Sequence, residues 1–425
     1  MLTRRLLLSS LLPVLGAGTA FAQEEPPEKP PALFEGLFPT PTGTNGFEEI
    51  IRAGERLREA KAPYPNPGRN SLTVKRAYIA DPACRAAFSL LRQGLRKPII
   101  VAPSAQLPVF SRVYALMRSL GRLLGFHVHV SFADGEGAAI LGDVLAFVRV
   151  ADTFQSLDVV TGMTGGGLEQ SVLMPLTRLR DSWTERDCLR LLTFAKNRAN
   201  APDPALTTVA TERNRTQAYW ERMRTKPDEL EGQFAYLDEN EDTEGTTKAE
   251  AFAEQLRVDS GVRARVWGEM ADAITAYYDR AAVLLADPSK RLSLETPTAE
   301  TNRFHEITLY LRDSLVLDAR FMVRQVVENR LTNQLLATHA AIRRYRWEND
   351  RLPKTLDDLN LPVNIVTDPF TAKPLLYDPE PPGTNYKLAS AGALLPDEDG
   401  KPDARERFAL PRESPVPAKP TVEPK

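Results

Sequence analysis

From Thr298 to Leu352 the chain contains neither Pro nor Gly. Apolar residues recur there at helical spacing through Val316, Ala319, Val323, Val327, Leu331, Leu335, Ile342 and Tyr345, which predicts one continuous helix. At about 1.5 Å per residue, roughly fifty residues reach roughly 75 Å. No ordinary domain is that wide, so different parts of such a helix must pack against different neighbours. Asn349-Asp350 and Pro353 signal its end, because Pro353 biases Leu352 away from helical geometry. A short helix over Leu356 to Leu359 should follow, then a turn at Asp368-Pro369-Phe370. Pro374 to Tyr377 and Tyr386 to Ala389, separated by Pro and Gly, read as two short strands.

Upstream the pattern is also helical. Asn45 caps a helix, with Glu48 three residues on as in a capping box, and Phe47, Ile50, Ile51 and Leu57 form its apolar side. A second helix spans Pro82 to Leu95. Val113, Leu116, Leu120 and Leu123 mark a longer one, and "ADGEGAA" turns the chain into the stripe Leu141, Val144, Val148, Ala151. So short a link predicts a helical hairpin. Ser182 or Thr184 caps a helix whose inner side is Cys188, Leu191, Leu192 and Ala195. No fixed repeat period is present, so residues 45–228 read as an irregular helical-hairpin array. Residues 229–249 are acidic and poorly patterned, a loop suited to a subdomain boundary. Residues 250–351 are long helices, with Val262, Val266, Met270, Ile274 and Tyr277 in register. The fold class is mainly α, with a very long helix leading into a small C-terminal α/β module of short antiparallel strands.

The two ends differ from this body. Residues 1–22 carry Arg4-Arg5, an apolar run from Leu6 to Ala17 and a small-x-small site at Ala20-Phe21-Ala22. This has the form of a secretory signal peptide, and Thr3-Arg4-Arg5 resembles a twin-arginine leader. The expected location is therefore periplasmic or extracellular, with no stable membrane span once the leader is removed. Residues 23–44 and 404–425 hold 11 of the chain's 34 Pro and read as disordered linker and tail. A formal charge of −2 lacks the basic excess of a nucleic-acid binder. Only Cys84 and Cys188 are present. In an oxidising compartment they could be bridged, but no feature of the sequence brings them together, and two separate buried thiols are expected.

The run "AAIRRYRWENDRLPKTLDDL…TDPFTAKPLLYDPEPPGTNYKLASAG…PDEDGKPD", Ala340 to Asp403, resembles the C-terminal part of type II secretion major pseudopilins. There a long helix delivers the chain to a small β-sheet. Pseudopilins begin with a short leader and a stalk helix, whereas roughly three hundred residues precede the matching segment here. The same ending resembles that of large, mostly helical, exported bacterial proteins of unknown role. Both likenesses imply a compact module over residues 352–403. The pseudopilin module commonly carries a calcium-binding acidic loop, and Asp397, Asp399 and Asp403 in "PDEDGKPD" are the corresponding candidates for calcium.

Other chemistry-bearing patterns have plainer readings. His127-Val128-His129 would offer two metal ligands from a strand, with Asp134 or Glu136. The flanking pattern is helical, however, and residues two apart on a helix do not share a face. "TGMTGGG" at Thr161 to Gly167 lacks the Gly-Lys-Ser/Thr ending of a phosphate loop, and small residues that let two helices approach are the expectation. Asp357-Asp358 read as a solvated face. With neither G-x-S-x-G nor HExxH present, no catalytic or cofactor-binding residue is nominated. These readings favour a non-enzymatic interaction or scaffold protein of the cell envelope with an unidentified protein partner. A metal-dependent hydrolase and an accessory component of a secretion or pilus-like assembly stay open as alternatives.

Overall fold

The computed structural model describes residues 37–38, 41–65, 71–101, 110–226, 243–287, 290, 304–380 and 385–390. Residues 1–22 read as a leader, the calcium candidates Asp397, Asp399 and Asp403, and residues 404–425 read as a tail lie outside them. Among the described residues the chain is mainly α, 75% helical, with thirteen α-helices and one two-stranded antiparallel sheet. The helices are α1 (Gly46–Leu57), α2 (Leu72–Ile79), α3 (Pro82–Leu95), α4 (Phe110–Ala133), α5 (Gly137–Gln155), α6 (Val159–Leu179), α7 (Glu185–Ala199), α8 (Pro204–Thr225), α9 (Thr243–Val258), α10 (Ser260–Ala286), α11 (Glu306–Leu315), α12 (Arg320–Asn349) and α13 (Val363–Val366). The strands are β1 (Leu376–Glu380) and β2 (Asn385–Ala389). No described helix is long and apolar enough to cross a membrane.

Two compact units result. One takes in Leu157–Val159 and Leu206–Phe321, the other Pro31–Ser156, Val160–Ala205 and Met322–Lys425. In the first, α10 buries Val266, Met270, Ile274 and Tyr277 of the predicted stripe, while Val262 is half-buried and Tyr278 joins the core beside Tyr277. Thr216 of α8 shares a hydroxyl contact with Tyr278, and Trp220 meets Trp267 edge to face. Glu269 accepts from the His305 N–H at 2.6 Å and from the Thr308 hydroxyl at 2.8 Å, which fixes the start of α11 against α10.

In the second unit the expected stripes are the core. Val113, Leu120 and Leu123 of α4 and Leu141, Val144, Val148 and Ala151 of α5 are completely buried. Gly135, at φ 78°, turns the chain between these two helices. Thr184 starts α7 with a reciprocal capping box to Asp187. Asn45 caps α1 by accepting from the Phe47 N–H, but the predicted partner role of Glu48 is not found. The Glu48 carboxylate, 2% exposed, accepts from the backbone of Thr42 and Gly43 instead, at 2.9 Å each, and ties the incoming strand of chain to the helix.

The Pro- and Gly-free stretch is not one helix. α11 ends at Leu315, Val316 is extended at φ −87°, ψ 107°, and α12 restarts at Arg320. Asp318 supplies the new start by accepting from the Arg320 N–H at 2.9 Å, and the Ala319 N–H donates to the Tyr277 hydroxyl at 3.3 Å. Val316 and Ala319 remain buried, so the apolar periodicity runs on through a backbone break. Further upstream, the segment expected to be helical from residue 250 starts earlier, at Thr243, and is divided at Asp259. The Asp259 carboxylate caps α10 by accepting from Gly261 and Val262 N–H at 2.8 and 2.9 Å.

The C-terminal module follows the sequence reading closely. α12 stops at Asn349, with Asp350 left-handed at φ 52°. A 3-10 turn covers Leu356–Leu359, where Asp358 completes a capping box with Thr355. Asp368 organises the next turn: its carboxylate accepts from the Phe370 N–H at 2.9 Å and the Ser390 hydroxyl at 2.7 Å. β1 and β2 then pair antiparallel, Leu376 opposite Ala389 and Asp378 opposite Lys387. The Tyr386 hydroxyl meets Nδ1 of His339 on α12, and the Tyr377 hydroxyl donates to the Pro353 carbonyl at 2.9 Å. These two phenols seat the hairpin on the helix that leads into it.

Candidate functional site

Two glycines one helical turn apart, Gly121 and Gly125, let α4 come close to α6 in the second unit. A β-carbon at Gly121 would stand 2.5 Å from the Ser171 hydroxyl, and one at Gly125 would stand 3.3 Å from Cγ of Pro175. Pro175 lies inside α6 and has no N–H to give the Ser171 carbonyl one turn back. Beside this close crossing a cleft of about 250 Å³ opens to solvent, lined by Arg122, Phe126 and His129 of α4 and by Ser171, Met174, Pro175 and Arg178 of α6.

The charges of the cleft are all of one sign. Arg122 and Arg178 line it, and Lys75 of α2, 8% exposed, lies close enough for its charge to act on His129. Burial pulls the Lys75 ammonium below its ordinary range, and Arg178 adds to that. Burial also lowers His129, to about 4, with Lys75 and Arg178 contributing, so the imidazole is neutral at pH 7. Among the described residues no carboxylate pairs with Lys75, Arg122 or Arg178, and their side chains and that of His129 make no hydrogen bond. Asp134, at the end of α4, is held by Arg76. Two guanidinium groups beside one recess, with the Lys75 ammonium near enough to act on His129, favour an anion there over a cation. The Ser171 hydroxyl is occupied in donating to the Leu168 carbonyl at 2.6 Å.

A second polar centre in this unit is fully neutralised. Glu169 of α6, 0% exposed, accepts from Gln155 at 2.8 Å, Asn333 at 2.6 Å and Arg198 at 2.9 Å, and Arg198 also reaches Asp152. Burial alone would raise the Glu169 carboxyl, but Arg198 and the amide donors hold it below its ordinary value. For Asp152 burial wins over Arg198, and its carboxyl is raised to about 6. Every charge in this cluster is spent on another member, so it joins α5, α6, α7 and α12 rather than awaiting a ligand.

His127 and His129 both lie in α4, as the helical pattern predicted, and have different surroundings. The His127 ring stacks on Phe88 at 3.7 Å, and burial, with Arg92, lowers it to about 4. His129 faces the cationic cleft, where the neighbouring positive charge disfavours a metal ion. Among the described residues no group of His, Cys, Asp or Glu could hold one. The glycines of "TGMTGGG" sit within α6 and allow close packing: a β-carbon at Gly165 would stand 2.5 Å from the Ala151 carbonyl. Cys84 and Cys188 are separate, buried thiols, as expected, and burial raises them to about 11 and about 12. The calcium candidates Asp397, Asp399 and Asp403 lie outside the described residues.

Sequence reasoning passed over Lys75, Arg122 and Arg178 because charges on short amphipathic helices usually face water. The available signal was "GRLLG" at Gly121 to Gly125, a small-x-x-x-small spacing, together with Pro175 inside an otherwise helical pattern. Comparison with protein-family models, with curated proteins and with solved structures finds no match for the chain.

Proposed function

We propose that the protein is an exported, non-enzymatic interaction protein of the cell envelope, and that its irregular helical array holds an anionic group of its partner in the cleft between α4 and α6. The observation that carries this reading is that Arg122 of α4 and Arg178 of α6 line one recess that no carboxylate enters among the described residues. The leader-like residues 1–22 and the likeness of Ala340 to Asp403 to a pseudopilin ending support the envelope location.

The test is a thermal-shift series on the full chain with oxyanions at constant ionic strength, beside fractionation of the producing cells. Oxyanions should raise the midpoint in the native chain and leave Arg122→Gln/Arg178→Gln unmoved. Equal shifts in both chains, or no shift in either, would overturn the cleft as the site. Recovery of the protein with the cytosol would overturn the envelope location.

A further inference from the structure

We infer that His305 is an acid-operated latch on α11: as a neutral imidazole it caps the helix and keeps its first turn on α10, and as an imidazolium it releases that turn.

The cap is the first observation. A helix begins with amide groups that have no partner inside it, and a side-chain acceptor just before the first turn satisfies one of them. In α11 that acceptor is Nδ1 of His305, which takes the Ile307 N–H at 3.2 Å. The caps at Asn45, Ser71, Asp81, Thr184 and Asp259 are built on oxygen instead. The difference is chemical. An amide or hydroxyl oxygen keeps its lone pairs at any physiological pH, whereas an imidazole changes charge between about pH 5 and 8. Once protonated it donates from both nitrogens and accepts at neither. The bond from Ile307 therefore exists while His305 is neutral and is lost as the pH falls. The imidazolium also sets a positive charge on the positive end of the helix.

The second observation is how lightly the turn is held. His305 is half-buried, so protons reach it from solvent. α11 has 10 residues, short of the roughly 12 to 15 at which a helix begins to persist by itself, and it stands by its contacts. Ile307, Thr308 and Leu311 are fully buried. Ile307 is both the capped amide and the first apolar anchor, so losing the cap loosens the residue that seats the turn.

The charged neighbours give the imidazolium somewhere to go. From α10, the Glu269 carboxylate accepts from the His305 N–H at 2.6 Å and the Thr308 hydroxyl at 2.8 Å, and it pairs with Arg265 at 2.6 Å. Burial would raise this carboxyl, but Arg265 and the His305 and Thr308 donors hold it below its ordinary value, so it stays charged while an imidazole titrates. Asp272, one turn further along α10, and Glu306, the first residue of α11, are exposed. α9 meets α11 where Phe252 packs on Tyr310 at 5.4 Å, and its Glu254 and Arg257 are exposed and paired with each other. Glu269 is thus the charge beside the ring, and protonation exchanges a cap bond for an ion pair, a differential contact of the kind a two-state device requires.

The experiment is hydrogen exchange of the full chain at pH 7.5, 6.5 and 5.5, corrected for the intrinsic pH dependence of exchange, with the His305 ring followed by NMR over the same range. Protection of the amides from Ile307 to Leu311 should fall about fivefold from pH 7.5 to 5.5, the typical contribution of one N-cap, with the midpoint of the His305 ring. His127, His129 and His339 belong to the other unit, so a response confined to α11 belongs to His305. His305→Asn, whose amide oxygen caps without titrating, should hold protection level across the range, and His305→Ala should show the lowered protection at both ends. A ring that takes up no proton by pH 5.5, protection that stays level while the ring titrates, or a pH response that survives in His305→Asn would overturn the latch. His305→Ser, a hydroxyl cap, serves where the Asn variant does not fold.

Discussion

Arg198 contacts both carboxylate oxygens of Glu169, a side chain that no solvent reaches. The pair binds helix to helix: Glu169 stands on α6, Arg198 on α7, and the donors Gln155, Asn329 and Asn333 come from α5 and α12. Breaking such a pair from one side leaves a desolvated charge behind, which typically costs 3–5 kcal/mol. Arg198→Met should therefore destabilise the protein by about 3 to 5 kcal/mol, measured by denaturant unfolding followed by circular dichroism. A loss under about 1 kcal/mol would mean that Glu169 simply takes up a proton at little cost.

The glycines of α6 give a sharper contrast. A methyl group at Gly165 would lie 2.5 Å from the Ala151 carbonyl and 2.7 Å from the Gln155 nitrogen, both backbone atoms that cannot step aside. At Gly142 on α5 nothing lies within 4 Å. Gly165→Ala should cost about 1 to 3 kcal/mol through overpacking. Gly142→Ala should stabilise by about 0.5 to 1 kcal/mol through helix propensity and a less flexible unfolded chain. Thermal unfolding of the two variants checks both signs, and a neutral Gly165→Ala would refute the close contact.

The contact between His339 and Tyr386 predicts how firmly the C-terminal hairpin is seated. His339 is 1% exposed and its Nδ1 meets the Tyr386 hydroxyl. Removing that hydroxyl leaves a buried ring nitrogen without this partner, a penalty of about 1 to 3 kcal/mol. Tyr386→Phe should lower stability by that amount and raise hydrogen exchange in β1 and β2 before other parts of the second unit. Unchanged exchange in the hairpin would show that the phenol ring alone holds it.

How far the sequence could be read follows from the range of the forces involved. The helices and their caps were legible where the cause is local: the Val113, Leu120, Leu123 stripe, the Thr184 cap, the end of α12 at Asn349, and the strands around Tyr377 and Tyr386. The break at Val316 was not, since Leu315 and Val316 continue the apolar register and Tyr277, which receives the Ala319 N–H, lies 42 residues away. The cleft was invisible for the same reason. Arg122 and Arg178 acquire meaning only when α4 and α6 meet, and the sequence drew attention to His127 and His129 as a pair, which the structure places in different surroundings. Local patterns specify elements, while charge surplus is a property of their assembly.

The buried histidines set the response to acid. His339 is held well below 6.5 by burial with Arg343 and Arg180 nearby, and His127 and His129 are lowered to about 4. Between pH 6.5 and 4 the unfolded chain therefore takes up three protons that the folded chain refuses, and stability falls as pH falls. Asp152 works in the opposite sense. Its folded carboxyl, raised to about 6, is protonated before the unfolded one near 3.8, which favours the folded state as pH drops. Asp313, also raised by burial, acts with Asp152, whereas Glu169 and Glu269, held below their ordinary values, act with the histidines, and the net slope is a loss of stability as pH falls. Denaturant unfolding at pH 6.5, 5.5 and 4.5 should show this slope. His127→Phe, which keeps the stack on Phe88 and cannot titrate, should reduce it by about one proton. A stability that is level or rising from pH 6.5 to 4.5 would mean that these imidazoles gain protons without unfolding.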